Sequence, residues 1–65
     1  MIKNFYLKQL IYNVYDVSRV LFNDYYNGKD SYAENDIEDI KNLIEQLKAM
    51  VEDLENELVY LQNIL

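Results

Sequence analysis

Side chains that support covalent or metal chemistry are scarce in this 65-residue sequence. It contains no His and no Cys, so it lacks the commonest general base, a thiolate nucleophile and the usual ligands of zinc and copper. Its only Ser/Thr hydroxyls are on Ser18 and Ser31, and a single glycine cannot build a phosphate-binding loop. We therefore expect no catalytic residue, no cofactor and no metal site, and we predict that the protein is not an enzyme.

Carboxylates are the most abundant charged groups, and they are unevenly placed. The net charge is −6, and nine of the twelve Asp and Glu residues lie in residues 31–65. Nucleic acid and anionic membranes are therefore poor partners for this half. Many of its charges alternate in sign at helical spacing, as on a solvated helix face. The surplus negative charge either imitates the phosphates of nucleic acid or is only solvated. We call the residues that carry it the acidic face: Asp36, Asp39, Asp53 and Glu57.

The first half carries a row of side chains suited to binding. Tyr and Arg are enriched at the energetic centres of protein interfaces, and Phe has no polar end to leave in water. The simpler interpretation is that Tyr rings lie along the surface with hydrated hydroxyls. Nearby Lys3 and Lys8 also permit a minor interpretation as a binder of RNA or DNA. We predict a protein-binding aromatic row made of Phe5, Tyr12, Tyr15, Arg19, Phe22 and Tyr26.

A heptad ladder in the second half predicts the element that positions these groups. Apolar residues alternate three and four apart, which is the a/d pattern of helices that pack on helices. Leu43, Met50 and Ile64 widen the stripe at g positions, so one side can face the first helix and the other a second chain. The a and d positions are Ile37, Ile40, Ile44, Leu47, Val51, Leu54, Leu58, Leu61 and Leu65.

The predicted fold is an all-α antiparallel helical hairpin in one domain, residues 1–65. One helix covers about residues 2–27, a loop 28–31, and a second helix about 32–63. Gly28 suits the left-handed residue that ends a helix, and Ser31 with Glu34 has capping-box spacing. A turn centred between Lys29 and Asp30 pairs residue n with residue 59 − n. The last seven residues then extend beyond the first helix as an apolar overhang.

Small size favours self-association. A chain of this length is marginally stable alone, and without Cys or His a partner chain is the remaining stabiliser. We expect a homodimeric four-helix bundle or coiled coil, with the parallel or antiparallel arrangement left open. The predicted self-association residues are Val51, Leu54, Leu58, Tyr60, Leu61, Ile64 and Leu65.

The predicted function is a non-enzymatic protein-binding module that occludes a larger protein. An inhibitor or antirepressor encoded by a phage or mobile element fits the size, the acidity and the Asn-, Ile- and Tyr-rich composition. The alternatives are a structural coiled-coil adaptor and, third, a nucleic-acid-binding hairpin. Absence of Cys, of a bilayer-length apolar run and of a signal-peptide pattern leads us to expect a cytoplasmic location.

Overall fold

The computed structural model describes residues 3–64, and within them it contains two α-helices. Helix α1 spans Phe5–Tyr25 and α2 spans Glu34–Ile64. The helices pack against each other as a rod whose principal extents are 48 × 17 × 12 Å. This confirms the all-α helical hairpin. Ile2, the predicted first residue of α1, and Leu65, a predicted self-association residue, lie outside the described residues.

Helix α1 begins three residues later than predicted because Asn4 caps it. Asn4 has extended backbone angles, and its Oδ1 accepts a hydrogen bond of 2.8 Å from the backbone N–H of Leu7. Asn is among the best residues at this position, since its side chain satisfies an amide that has no partner inside the helix. The Asn4 amide nitrogen also donates to Glu57 Oε1 at 2.8 Å, which ties the start of α1 to α2.

Gly28 has the left-handed conformation that the sequence predicts. Its φ is +73°, and the preceding Asn27 N–H donates to the Phe22 carbonyl at 2.9 Å. An L-residue with a side chain pays a steric penalty in this region of backbone space, whereas glycine does not. Gly28 therefore lets the chain leave α1 and turn back toward α2.

The predicted cap at Ser31 is wrong, and α2 begins two residues later than expected. The residue before the helix is Ala33, whose N–H donates to Asp36 Oδ2 at 2.9 Å. This is the second half of a capping box, in which an acidic side chain in the first turn reaches back to the cap residue. The connection consequently covers residues 26–33 rather than the predicted 28–31.

The longer connection shifts the pairing of the two helices. Asn4 lies beside Glu57, where the predicted turn would place it beside Glu55. At the other end, the Tyr25 hydroxyl donates to Asp39 at 3.1 Å, whereas the predicted turn would place Tyr25 beside Glu34. Each α1 residue is therefore paired with a later α2 residue than predicted, so the overhang at the end of α2 is shorter. In residues 3–64 we find no helix with the length and apolar character needed to cross a bilayer.

Candidate protein-binding surfaces

Only part of the apolar stripe of α2 packs against α1. The half-buried residues of α2 recur at the d and g positions of the heptad, and they include Ile40, Leu43, Leu47, Met50 and Leu54. The a positions between them are exposed by 42–57%. We call these exposed a positions the aliphatic row; in the described residues it consists of Ile37, Ile44, Val51 and Leu58.

The complementary face of α1 forms the small core. Leu10 and Val17 are the buried residues, with Leu7, Val14, Leu21 and Tyr25 half-buried around them. Ile11, the residue after Leu10, is 54% exposed. The α1 residues that meet α2 are 7, 10, 14, 17 and 21. Ile11 is rotated by about 100° around the helix from Leu10, so it lies at the edge of this face. Ile11 is thus left as an apolar surface residue.

The aromatic row is exposed along α1. Exposure of its five rings ranges from 53% for Phe22 to 78% for Phe5. Phe22 and Tyr26 stack with centroids 5.0 Å apart, and Tyr12 and Tyr15 are tilted at 6.3 Å. The rings therefore form two neighbouring pairs rather than isolated side chains.

Arg19 supports this row through an ion pair. Its guanidinium Nη2 lies 2.8 Å from Asp16 Oδ1, and this hydrogen bond is the main reason that the pKa of Arg19 is raised. Arg19 also lines a shallow groove with Tyr15, Ser18 and Phe22. The cation in this groove is accordingly held in place by its neighbour one turn away on the same helix.

The aliphatic row lies on the same side of the hairpin as one edge of α1. We call this edge, which includes one serine, the apolar edge of α1; it consists of Leu7, Ile11, Ser18 and Phe22. Val20 of α1 lines one shallow groove with Asn42 and Gln46 of α2, which marks one side. Ile11 precedes Val20 by nine residues, and Ile37 precedes Gln46 by nine. Nine residues at about 100° each are two and a half turns, so both isoleucines point to the opposite side. Phe22 is two residues from Val20, and Ile44 is two residues from Gln46. Each is therefore rotated by about 200° around its helix from that groove residue, which also places it on the opposite side.

The predicted self-association residues do not share one exposed face. Leu54 and Leu61 are half-buried and continue the row of α2 that meets α1. Val51 and Leu58 belong to the aliphatic row, whereas Tyr60 and Ile64 are exposed near the end of α2. The exposed members thus divide between the aliphatic row and the overhang.

Three of the four predicted acidic-face residues have partners within the chain. Asp36 accepts from the Ala33 N–H and lies 3.1 Å from Lys29 Nζ. Asp39 accepts from the Tyr25 hydroxyl and Glu57 accepts from Asn4. Asp53 is exposed on α2. Asp36, Asp39 and Glu57 therefore contribute to holding the hairpin together.

Asp36 belongs to a cluster that orders the connection between the helices. Lys29 Nζ lies 5.8 and 5.9 Å from the ring centroids of Tyr25 and Tyr32, and the Tyr32 hydroxyl donates to the Tyr25 carbonyl. The Ala33 N–H, followed by Lys29, lowers the pKa of Asp36. The ionised carboxylate is thus the form that the folded connection favours.

Stability should consequently depend on the ionisation of Asp36. A carboxyl whose pKa is lower in the folded state stabilises the fold above its unfolded pKa of about 3.9 and loses this effect as pH falls through the folded value. We expect Asp36→Asn to lower the thermal midpoint at pH 7 and to narrow the difference in midpoint between pH 7 and pH 3. Circular dichroism melts across this range measure both quantities. Asp53→Asn is the control for loss of one exposed charge; an equal effect of the two changes would contradict the prediction.

Neither metal-binding geometry nor similarity to known proteins identifies a further functional site. Across residues 3–64, no group of three or more Asp or Glu side chains is arranged to hold a metal ion. Comparison of the chain with protein-family models, with curated proteins and with solved structures gives no significant match.

Proposed function

We propose that this chain is a non-enzymatic, cytoplasmic protein-binding module that docks its aromatic row onto a larger protein and occludes it. The observation that carries the proposal is the exposure of Phe5, Tyr12 and Tyr26, which point away from α2 and which the hairpin itself cannot bury. Clustered Tyr and Phe rings beside an Arg held in place are the groups from which interface hot spots are built.

The aromatic row supports this function better than the acidic face does. A nucleic-acid mimic needs carboxylates that are available to replace phosphates. Asp36, Asp39 and Glu57 instead accept hydrogen bonds within the hairpin. Binding through apolar rings also predicts weak salt dependence, whereas binding through charge falls steeply as salt rises.

A structural coiled-coil adaptor is the second candidate, and the aliphatic row favours it. Heptad-spaced apolar residues are the means by which helices recruit other helices. An adaptor of this kind would need no aromatic contact with its target. Substitutions in the aromatic row therefore distinguish the two functions.

The test is capture of a partner from extracts of the cells that encode this protein. Phe5→Gln combined with Tyr12→Gln should reduce capture at least tenfold, since loss of a hot spot costs about 2 kcal/mol or more. Tyr6→Gln is the matched control, because Tyr6 and Tyr12 are both 58% exposed on the same helix and differ in the face they occupy. Capture should also persist when salt is raised to about 0.5 M, where the Debye length is only several ångströms.

Two outcomes would overturn this function. Equal capture by the wild type and the Phe5/Tyr12 variant would show that the aromatic row does not bind the partner. Loss of capture with rising salt, with no effect of the aromatic substitutions, would assign the contact to the acidic residues instead.

A further inference from the structure

We propose that the aliphatic row binds a second copy of this chain, with α2 packed antiparallel to α2 of the partner subunit across a two-fold axis. Ile37 then meets Leu58 of the partner subunit, and Ile44 meets Val51 of the partner subunit. This inference rests on the aliphatic row, which the occluding function does not use; the dimer contact and the aromatic row share one residue, Phe22.

The spacing of the row indicates that its occupant is another helix. Four apolar side chains recur every seven residues along the described part of α2, although an isolated straight helix has a period of 3.6. A strict seven-residue repeat keeps a seam in contact with a helical neighbour over its whole length. Inside the hairpin, α1 already covers the d and g positions, so the a positions serve a helix from outside.

The surface area of the chain is consistent with one missing partner. A compact folded monomer of 7.8 kDa exposes roughly 4,400 Å², whereas this chain exposes 5412 Å². The excess of roughly 1,000 Å² is close to the ~800 Å² that each partner contributes to a standard interface. A core whose buried residues, within 3–64, are Leu10 and Val17 also favours such a partner.

Charges beside the row select the antiparallel arrangement. Lys41 and Lys48 flank it in the first half of α2, and Glu55 flanks it in the second half. An antiparallel pairing that joins Ile37 to Leu58 of the partner subunit brings Lys41 beside Glu55 of the partner subunit at two places, and Lys48 beside Lys48 of the partner subunit at one. A parallel pairing of α2 with α2 would not bring Lys41 and Glu55 together, because residues on one side of the seam then face the opposite side of the partner's seam.

The same two-fold axis also matches the apolar edge of α1. The edge contains Leu7, Ile11, Ser18 and Phe22, which are symmetric about the point between residues 14 and 15. An axis through that point places Leu7 opposite Phe22 of the partner subunit and Ile11 opposite Ser18 of the partner subunit. The small serine leaves room for the isoleucine.

The two centres of symmetry lie at the same height in the hairpin. The aliphatic row is centred between residues 47 and 48. Asn4 is bonded to Glu57 and Tyr25 to Asp39. The midpoint of Asn4 and Tyr25 is therefore level with the midpoint of Glu57 and Asp39, which is residue 48. One axis across the hairpin thus pairs α1 with α1 and α2 with α2, and a four-helix bundle results.

The mass of the protein in solution gives the first test. Light scattering of the full chain at micromolar concentration should give about twice 7.8 kDa, and Ile44→Glu should halve that mass. Val59→Glu is the control, because Val59 is 54% exposed but lies outside the row. A folded wild-type protein of monomeric mass would overturn the proposal, and this result does not rely on any variant being folded.

Cross-linking gives the second test, because the protein contains no native cysteine. Lys41→Cys and Glu55→Cys chains are mixed, equilibrated and treated with a short bismaleimide. The antiparallel dimer predicts that the mixed Lys41–Glu55 link exceeds either self-link at least fivefold. Predominant self-links would overturn the antiparallel arrangement. A dimer whose aromatic row captures no partner would leave this inference intact and refute only the occluding function.

Discussion

Replacing Leu10 with Ala should unfold most of the protein at moderate temperature. Leu10 is 5% exposed and is the most deeply buried of the described residues. Truncating a buried leucine to alanine costs about 2–5 kcal/mol through lost burial and the cavity left behind. A single small core supplies only about 3–5 kcal/mol in total, so this one change is comparable with the whole stability of the hairpin.

Two valines provide a matched pair for the same effect. Val17 is 8% exposed in the contact between the helices, whereas Val59 is 54% exposed on α2. Both changes to Ala remove the same atoms and raise helix propensity equally, so their difference reports burial alone. We expect Val17→Ala to lose about 1–2.5 kcal/mol and Val59→Ala less than about 0.5 kcal/mol.

Urea unfolding followed by circular dichroism measures these changes. All variants must be compared at one protein concentration, because association of folded chains raises the apparent stability by mass action. If Val17→Ala were no less stable than Val59→Ala, the contact between α1 and α2 would not be the core of the folded protein.

The architecture follows from sequence periodicity, but the rotation of the helices does not. The ladder of α2 predicts a helix that packs on a helix, and Gly28 predicts where the first helix ends. At α2, however, the a, d and g columns are all largely apolar, since Leu43 and Met50 occupy g positions. Any two adjacent columns satisfy the same pattern. Only the three-dimensional packing of α1 reveals that d and g are covered and that a is left outside.

The errors at the helix ends have a local physical cause. Ser31 has the spacing of a cap, but the connection gains more from the cluster of Lys29 with Asp36 and the two tyrosine rings. That cluster moves the start of α2 to Glu34, where Asp36 caps from inside the helix. The first-turn acid was visible in the sequence, whereas its ion pair with Lys29 depends on the path of the loop. Asn4 was a detectable cap, because Asn is strongly favoured before a first helical turn.

Asn4 joins two stabilising contacts, and replacing it with Ala should cost about 2 kcal/mol. About 1 kcal/mol comes from the lost cap on the Leu7 N–H. About another 1 kcal/mol comes from the lost hydrogen bond to Glu57. Since Asn4 and Glu57 are 53 residues apart in sequence and lie at the start of α1 and near the end of α2, this bond also fixes how far the two helices slide along each other.

The two contributions can be separated by a pair of milder substitutions. Asn4→Ser retains a cap acceptor but is too short to reach Glu57, and Glu57→Ala removes the bond while leaving the cap intact. Each should cost about 1 kcal/mol, about half of the cost of Asn4→Ala. Asn4→Asp keeps the cap but places a second carboxylate beside Glu57, so it should destabilise the protein. Adding Glu57→Gln to this variant removes the repulsion and should raise its stability.

Urea denaturation of the single and double variants measures the coupling as a double-mutant cycle. Once Glu57 is Ala, Asn4→Ser should have almost no further effect, since the bond it disrupts is already absent. Fully additive losses for this pair would show that Asn4 and Glu57 act independently. The register of α1 on α2, and with it the common height of the two apolar centres, would then have to be fixed by the packing of Leu10 and Val17 alone.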